Sequence, residues 1–156
     1  MDITRDVDTK GLDDIKSIGS YMLLKGTKAD LVLSSYALRT QVTADRLAEM
    51  VEYHGKIHYM KELYLAPYET LINIVSLQDS SIESIFLVGH NPGLTEFAKH
   101  LIDEEITEIP TLGVLAIDLD IEKWSEIDEA RGKIDFFINP KQFKYYLPSS
   151  INALGR

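Results

Sequence analysis

His90 stands where the apolar run Ser84-Ile-Phe-Leu-Val-Gly89 gives way to Asn91-Pro92-Gly93 and a segment with helical spacing. A short, continuous apolar run bounded by turn residues is a buried strand. The imidazole therefore falls at a strand's carboxyl end, where ligands collect in open α/β sheets. A histidine there can carry charge or move a proton near neutral pH. A second segment, Ser34-Ser-Tyr-Ala-Leu-Arg-Thr-Gln-Val-Thr43, directly follows the apolar run Leu31-Val-Leu33 and places Arg39 in the first turn or so of a helix. Its guanidinium is a planar fork of donors that matches phosphate bidentately, and exposed N–H groups at the same helix start add affinity for an anion. Taken singly, an arginine in a first helical turn is more often a solvated surface residue, and a histidine after a strand more often caps or packs.

The elements that must position these two residues alternate along the chain. Leu12, Ile15, Ile18 and Met22 make the stripe of an amphipathic helix over Gly11–Leu24, which Gly26 ends. Leu31–Leu33 is a short strand, followed by a helix from Ala37 to about Tyr53 through Leu38, Val42, Leu47 and Val51. Lys56–Met60 alternates as a strand does, and Pro67 suits the first turn of a helix running to about Leu77. A strand at Ile85–Val88 and a helix at Leu94–Ile102 come next. Beyond Pro110 the spacing predicts strands at Leu112–Leu119 and Lys133–Ile138, separated by a polar stretch from Trp124 to Gly132 and able to pair antiparallel. Phe143–Pro148 is apolar enough to pack back on the rest. Such alternation implies an α/β protein with a mostly parallel sheet covered on both faces. No repeat, low-complexity tract or linker divides the 156 residues, so a single domain over 1–156 is expected.

Composition removes several classes of function. With 45% apolar and 26% charged residues the chain is that of a soluble globular protein. A formal net charge of −9 argues against general binding to nucleic acid or an anionic membrane, although a few arginines in a pocket can still reverse the field locally. The absence of cysteine excludes disulfides, thiolate metal sites and thiol nucleophiles. Neither a signal peptide nor an apolar window long enough to span a bilayer is visible, which makes a cytoplasmic location the expectation.

Together, the two segments resemble the histidine phosphatase superfamily, and within it the small SixA-like phosphohistidine phosphatases. That family has a strand leading into a serine-rich turn and an Ala-Leu-Arg-x-x-x-Thr helix, which SSYALRTQVTA matches from Ser34 to Ala44. It also has a later strand ending in Gly-His-Asn-Pro-Gly before a helix, which FLVGHNPGLTEFAKHL matches from Phe86 to Leu101. Weaker agreement runs through Arg5–Gly11, Glu62–Ala66, Pro110-Thr111 and the ending from Trp124 to Lys141, so the resemblance covers nearly the whole chain. It implies a three-layer α/β/α sandwich of the phosphoglycerate mutase-like kind and a two-step transfer without metal or organic cofactor. A nucleophilic histidine attacks phosphorus in line, and water then hydrolyses the phosphoenzyme. Arg39 and His90 are carried over as catalytic residues, with Arg5, Arg39 and His90 together holding the phosphoryl oxygens. The implied substrate is a phosphorylated protein histidine or a small phosphorylated ligand. Glu62 is the nearest residue to a general acid, though a glutamate before an apolar Leu-Tyr-Leu run reads more readily as a solvated strand end.

One signature is absent. The family's Arg-His-Gly at the end of a first strand, whose histidine is the nucleophile, has no counterpart, and His54, His58 and His100 lack that motif and read as structural or surface residues. Arg5 lies in the segment that follows the signature in the family, so an amino-terminal truncation of roughly 15 to 20 residues, enough for a strand and its turn, accounts for the pattern. The chain is then expected to be inactive as it stands. A catalytically silent phosphate-binding or interaction relative is a second reading, and a small-molecule phosphomonoesterase a third, disfavoured by the lack of an insertion after Pro67. Loss of an internal strand would leave unpaired backbone groups, to be closed by shifted pairing or by a partner strand.

Overall fold

The computed structural model describes residues 2–146. Asp8 opens the first helix, α1 (Thr9–Leu24), by accepting a hydrogen bond from the Gly11 N–H through its side chain. The chain then alternates through β1 (Leu31–Ser35), α2 (Leu38–Met50), β2 (Ile57–Met60), α3 (Tyr68–Ser76), β3 (Ile85–Val88) and α4 (Gly93–Leu101). It ends in β4 (Val114–Leu119), β5 (Gly132–Ile138) and α5 (Pro140–Tyr146). Short 3-10 turns occupy Asp2–Thr4, Lys61–Leu63 and Trp124–Glu129. No helix among the described residues is long and apolar enough to cross a membrane.

Strand parity builds three layers. Leu31 and Leu33 point to a core shared with Leu71 and Val75 of α3 and with Phe97 and Leu101 of α4. Val32 points the other way, onto Ala44 and Ala48 of α2, and α1 adds Ile15, Ile18 and Met22 to a core on that side with Phe136 and Ile138 of β5. β1 lies between β2 and β3, parallel to both. The expected sheet is mostly parallel, and the strands in fact divide into two: the parallel set β2-β1-β3, and an antiparallel pair β4-β5. This division shows in burial. All five residues of β1, with partners on both sides, are buried, whereas all four of β3 are only half-buried despite being apolar.

The end of α2 differs from the expected bound near Tyr53, whereas α1 ends at Leu24 as expected. After α2, the Tyr53 N–H bonds the Ala48 carbonyl and the Glu52 N–H bonds the Glu49 carbonyl, so the helix stops at Met50 in a Schellman turn with Glu52 at φ 61. The same turn closes α1, with Gly26 at φ 73. Left-handed backbone suits glycine and strains a residue that carries a Cβ. Glu52→Gly is therefore expected to raise stability by about 1 kcal/mol in a urea titration. Gly26→Ala should lower it by a similar amount, through backbone strain alone, since a Cβ there meets nothing within 4 Å.

The strand predicted from Leu112 begins at Val114, because Leu112 is left-handed (φ 58) and the Gly113 N–H closes a turn onto the Pro110 carbonyl. The polar stretch after Trp124 winds into 3-10 helix, and the Trp124 Nε1 donates to the Ile82 carbonyl at 2.7 Å. Phe143 packs edge-on to Tyr21, while Leu147 and Pro148 of the predicted apolar tail lie outside the described residues.

Candidate functional site

β1 and β3 run parallel and adjacent, so their carboxyl ends open on the same side of the sheet. The first delivers Ser34, Ser35 and then α2, and the second delivers His90 and then α4. Both serines are fully buried, which demands partners for their hydroxyls. Ser34 Oγ donates to the Ser35 carbonyl at 2.9 Å, and Ser35 Oγ accepts from the Ala37 N–H at 3.3 Å. Thr40, also buried, donates through Oγ1 to the Ala37 carbonyl at 2.8 Å. These bonds fix the turn into α2. The helix has Ala37 at its N-cap, which makes no side-chain cap hydrogen bond, and the positive end of the helix dipole lies at this turn.

Arg39, the second residue of α2, is half-buried beside that helix start. His90 is buried, and its Nε2 lies 2.8 Å from Ser35 Oγ. The imidazole also meets the edge of the Tyr64 ring, with centroids 5.1 Å apart, and Tyr64 in turn meets Tyr36 at 5.9 Å. Arg5 comes from the exposed loop ahead of α1. Arg5, Arg39 and His90 line one cavity. Residues far apart in sequence, from a loop, a helix start and a strand end, thus line the same cavity.

The turn carrying His90 is fastened at two points. Asn91 Oδ1 accepts from the Thr95 N–H and hydroxyl at 3.2 and 2.7 Å, while its Nδ2 donates to the Ile109 carbonyl at 2.6 Å. Gly93 packs so closely on the Ala66 carbonyl that a Cβ would stand 1.9 Å from the oxygen. Ser35 and Tyr64 are the site partners that motif reading missed. Ser35 sits in the same serine-rich segment as Arg39, yet its contact with His90 spans 55 positions of sequence and has no local signal. Ser35→Ala should cost about 1 to 3 kcal/mol in denaturant unfolding, because His90 Nε2 and the Ala37 N–H both lose a buried partner.

The other histidines lie elsewhere. His54 is exposed in the loop after α2 rather than on the helix end, since that helix stops early. His58 is in β2 on the far side of β1. His100, on α4, donates through Nε2 to the Asp128 carbonyl at 2.9 Å and lies against the Tyr68 ring. Glu62 is exposed in the Lys61–Leu63 turn and does not line the cavity. Among the described residues, no group of three or more His, Cys, Asp or Glu side chains is placed to share a metal ion.

A parallel sheet flanked by helices, with such a cavity at the carboxyl ends of its strands, is an α/β fold of the phosphoglycerate mutase-like kind. Three solved structures share it. The protein histidine phosphatase SixA complexed with tungstate superposes with a TM-score of 0.73 over 92% of this chain and 89% of its own, at 16% identity. A candidate phosphohistidine phosphatase SixA from Agrobacterium tumefaciens gives 0.73 over 90% and 87%, at 24% identity. A third, from Nakamurella multipartitia, gives 0.72 over 90% and 87%, at 15% identity. No family model matches the chain, and neither does any curated protein.

Proposed function

We propose that this chain is the phosphoryl-binding body of a SixA-like phosphohistidine phosphatase and that, as residues 1–156, it binds an oxyanion without turning it over. The observation that carries this reading is the convergence of Arg5, Arg39 and His90 on one cavity at the carboxyl ends of β1 and β3. In the proposed reaction Arg39 holds two phosphoryl oxygens with its fork, and the first-turn N–H groups of α2 and the His90 imidazole hold the rest. In a SixA-like phosphatase, as the resemblance implies, a nucleophilic imidazole nitrogen that His54, His58 and His100 do not bring to this cavity attacks phosphorus as the bond to the substrate's imidazole breaks. That leaving group departs as the protonated ring, so a carboxylic acid has less to do than in ester cleavage. Water then attacks the phosphoenzyme and releases inorganic phosphate. The fold likeness to three SixA structures, one of them complexed with tungstate, supports the substrate class.

The silent-binding half of the proposal rests on the histidines. Among the described residues, His54, His58 and His100 do not line the cavity, and His90 is the histidine that does. The test is to titrate the protein with tungstate and to incubate it with a phosphohistidine peptide. Saturable binding with no hydrolysis above background is the expected result. Turnover that His90→Ala abolishes would make His90 the attacking group and overturn the reading of a chain without its nucleophile. An absence of oxyanion binding would remove the phosphatase reading altogether.

A further inference from the structure

The hydrogen bonds of the Ser35 hydroxyl can be satisfied in one way. Ser35 is fully buried at the end of β1, and a buried hydroxyl needs an acceptor for its single proton as well as donors for its lone pairs. One lone pair takes the Ala37 N–H at 3.3 Å. The other group within hydrogen-bond distance of Oγ is His90 Nε2, at 2.8 Å. Among the described residues no further polar atom bonds this hydroxyl, and no buried side-chain nitrogen or oxygen is left without a partner. The serine proton therefore goes to Nε2.

Were Nε2 to donate instead, the hydroxyl proton would be a buried donor with no acceptor, a state that costs the full desolvation of the group. A neutral imidazole carries one N–H. With Nε2 accepting, that proton sits on Nδ1, because the bond made by one ring nitrogen decides the state of the other. Both partners are held in place. The Ser35 carbonyl accepts from Ser34 Oγ and from Thr40 Oγ1, each at 2.9 Å, which pins the backbone that carries the hydroxyl. On the other side the Tyr64 ring meets the imidazole edge-on at 5.1 Å, with Tyr36 behind it.

We infer that Ser35 is a positioning residue that holds His90 as its Nδ1–H tautomer, so that the ring offers the cavity a hydrogen-bond donor and withholds its bare nitrogen. The tautomer follows from Ser35 alone, whereas its use on a phosphoryl oxygen rests on the proposed function. A neutral imidazole attacks phosphorus through the nitrogen that carries the lone pair. In His90 that lone pair already takes the Ser35 proton inside a buried contact. An N–H is also what an oxyanion needs, since a lone pair turned toward it would repel it. His90 is therefore a donor to bound oxyanion and not an attacking group, and this accounts for a cavity with a histidine in its wall that binds without turnover.

The test is the NMR spectrum of the chain with isotope-labelled histidine nitrogens at about pH 8, above the ordinary imidazole range, with the His90 signals identified by their loss in His90→Ala. A bare Nε2 and a protonated Nδ1 are expected. In Ser35→Ala the ring proton should move at least in part to Nε2, and tungstate affinity should fall roughly tenfold. Ser35→Thr keeps the hydroxyl and should keep the wild-type tautomer, a rescue that a purely packing role for Ser35 would not produce. A protonated Nε2 in the wild type overturns the inference, and so does a Ser35→Ala protein with both tautomer and affinity unchanged. If that variant does not fold, the wild-type spectrum decides alone. A wild type that shows the Nδ1–H tautomer but binds no tungstate supports the hold of Ser35 on the ring and overturns the phosphoryl-binding reading, which separates the two failures.

Discussion

Arg39→Ala should weaken tungstate or phosphate binding by about a hundredfold, the equivalent of roughly 3 kcal/mol. The size follows from geometry. Arg39 is half-buried next to a helix start whose N-cap makes no side-chain hydrogen bond, where a charge-assisted pair of hydrogen bonds is less screened than in open solvent. Arg39→Lys keeps the charge and loses the fork, so its affinity should fall between wild type and the alanine variant. His54→Ala changes an exposed loop residue outside the cavity and should leave affinity unaltered. Isothermal titration of the variants decides the matter, and equal losses at positions 39 and 54 would remove the basis for the site.

Among the described glycines, Gly93→Ala should be the most damaging substitution by alanine. Its Cβ would meet the Ala66 carbonyl oxygen at 1.9 Å, and neither partner can rotate away because both are backbone. Relief requires the first turn of α4 to move off the Ala66-Pro67 segment. Overpacking of this kind costs about 3 kcal/mol, which for a domain of this size lowers the melting temperature by about 10 °C. The displaced turn carries Asn91 and His90 with it, so oxyanion affinity should fall as well. Retention of both stability and affinity in this variant would show that the close approach of α4 to Ala66 is not needed to place His90.

Much of the architecture was legible because hydrophobic period and turn residues agree along most of the chain. Ile85–Val88 is bounded by polar and turn residues and appears as a strand with those same limits. The mismatches arise where backbone geometry overrides side-chain pattern. Leu112 continues an apolar run, yet its left-handed conformation takes it out of β4, and Glu52 ends a helix that the apolar spacing would carry further. Site residues divide in the same way. Arg39 and His90 each follow an apolar run, so position relative to a strand end identified them. Ser35 and Tyr64 touch His90 only through the tertiary fold, and nothing adjacent to them in sequence marks that contact.

Among the described residues β3 and β4 each pair on one side only, which bears on how the protein behaves at high concentration. Unpaired apolar strand edges template one another, and what holds copies apart is the mutual repulsion of chains carrying a net charge of −9. That repulsion fades near the isoelectric point of about 4.8, and it fades in molar salt, where its range shrinks to about 3 Å. Colloidal stability therefore rests on charge: dilute, low-salt, neutral solutions are expected to keep the chain dispersed, and acidification or molar salt to favour precipitation.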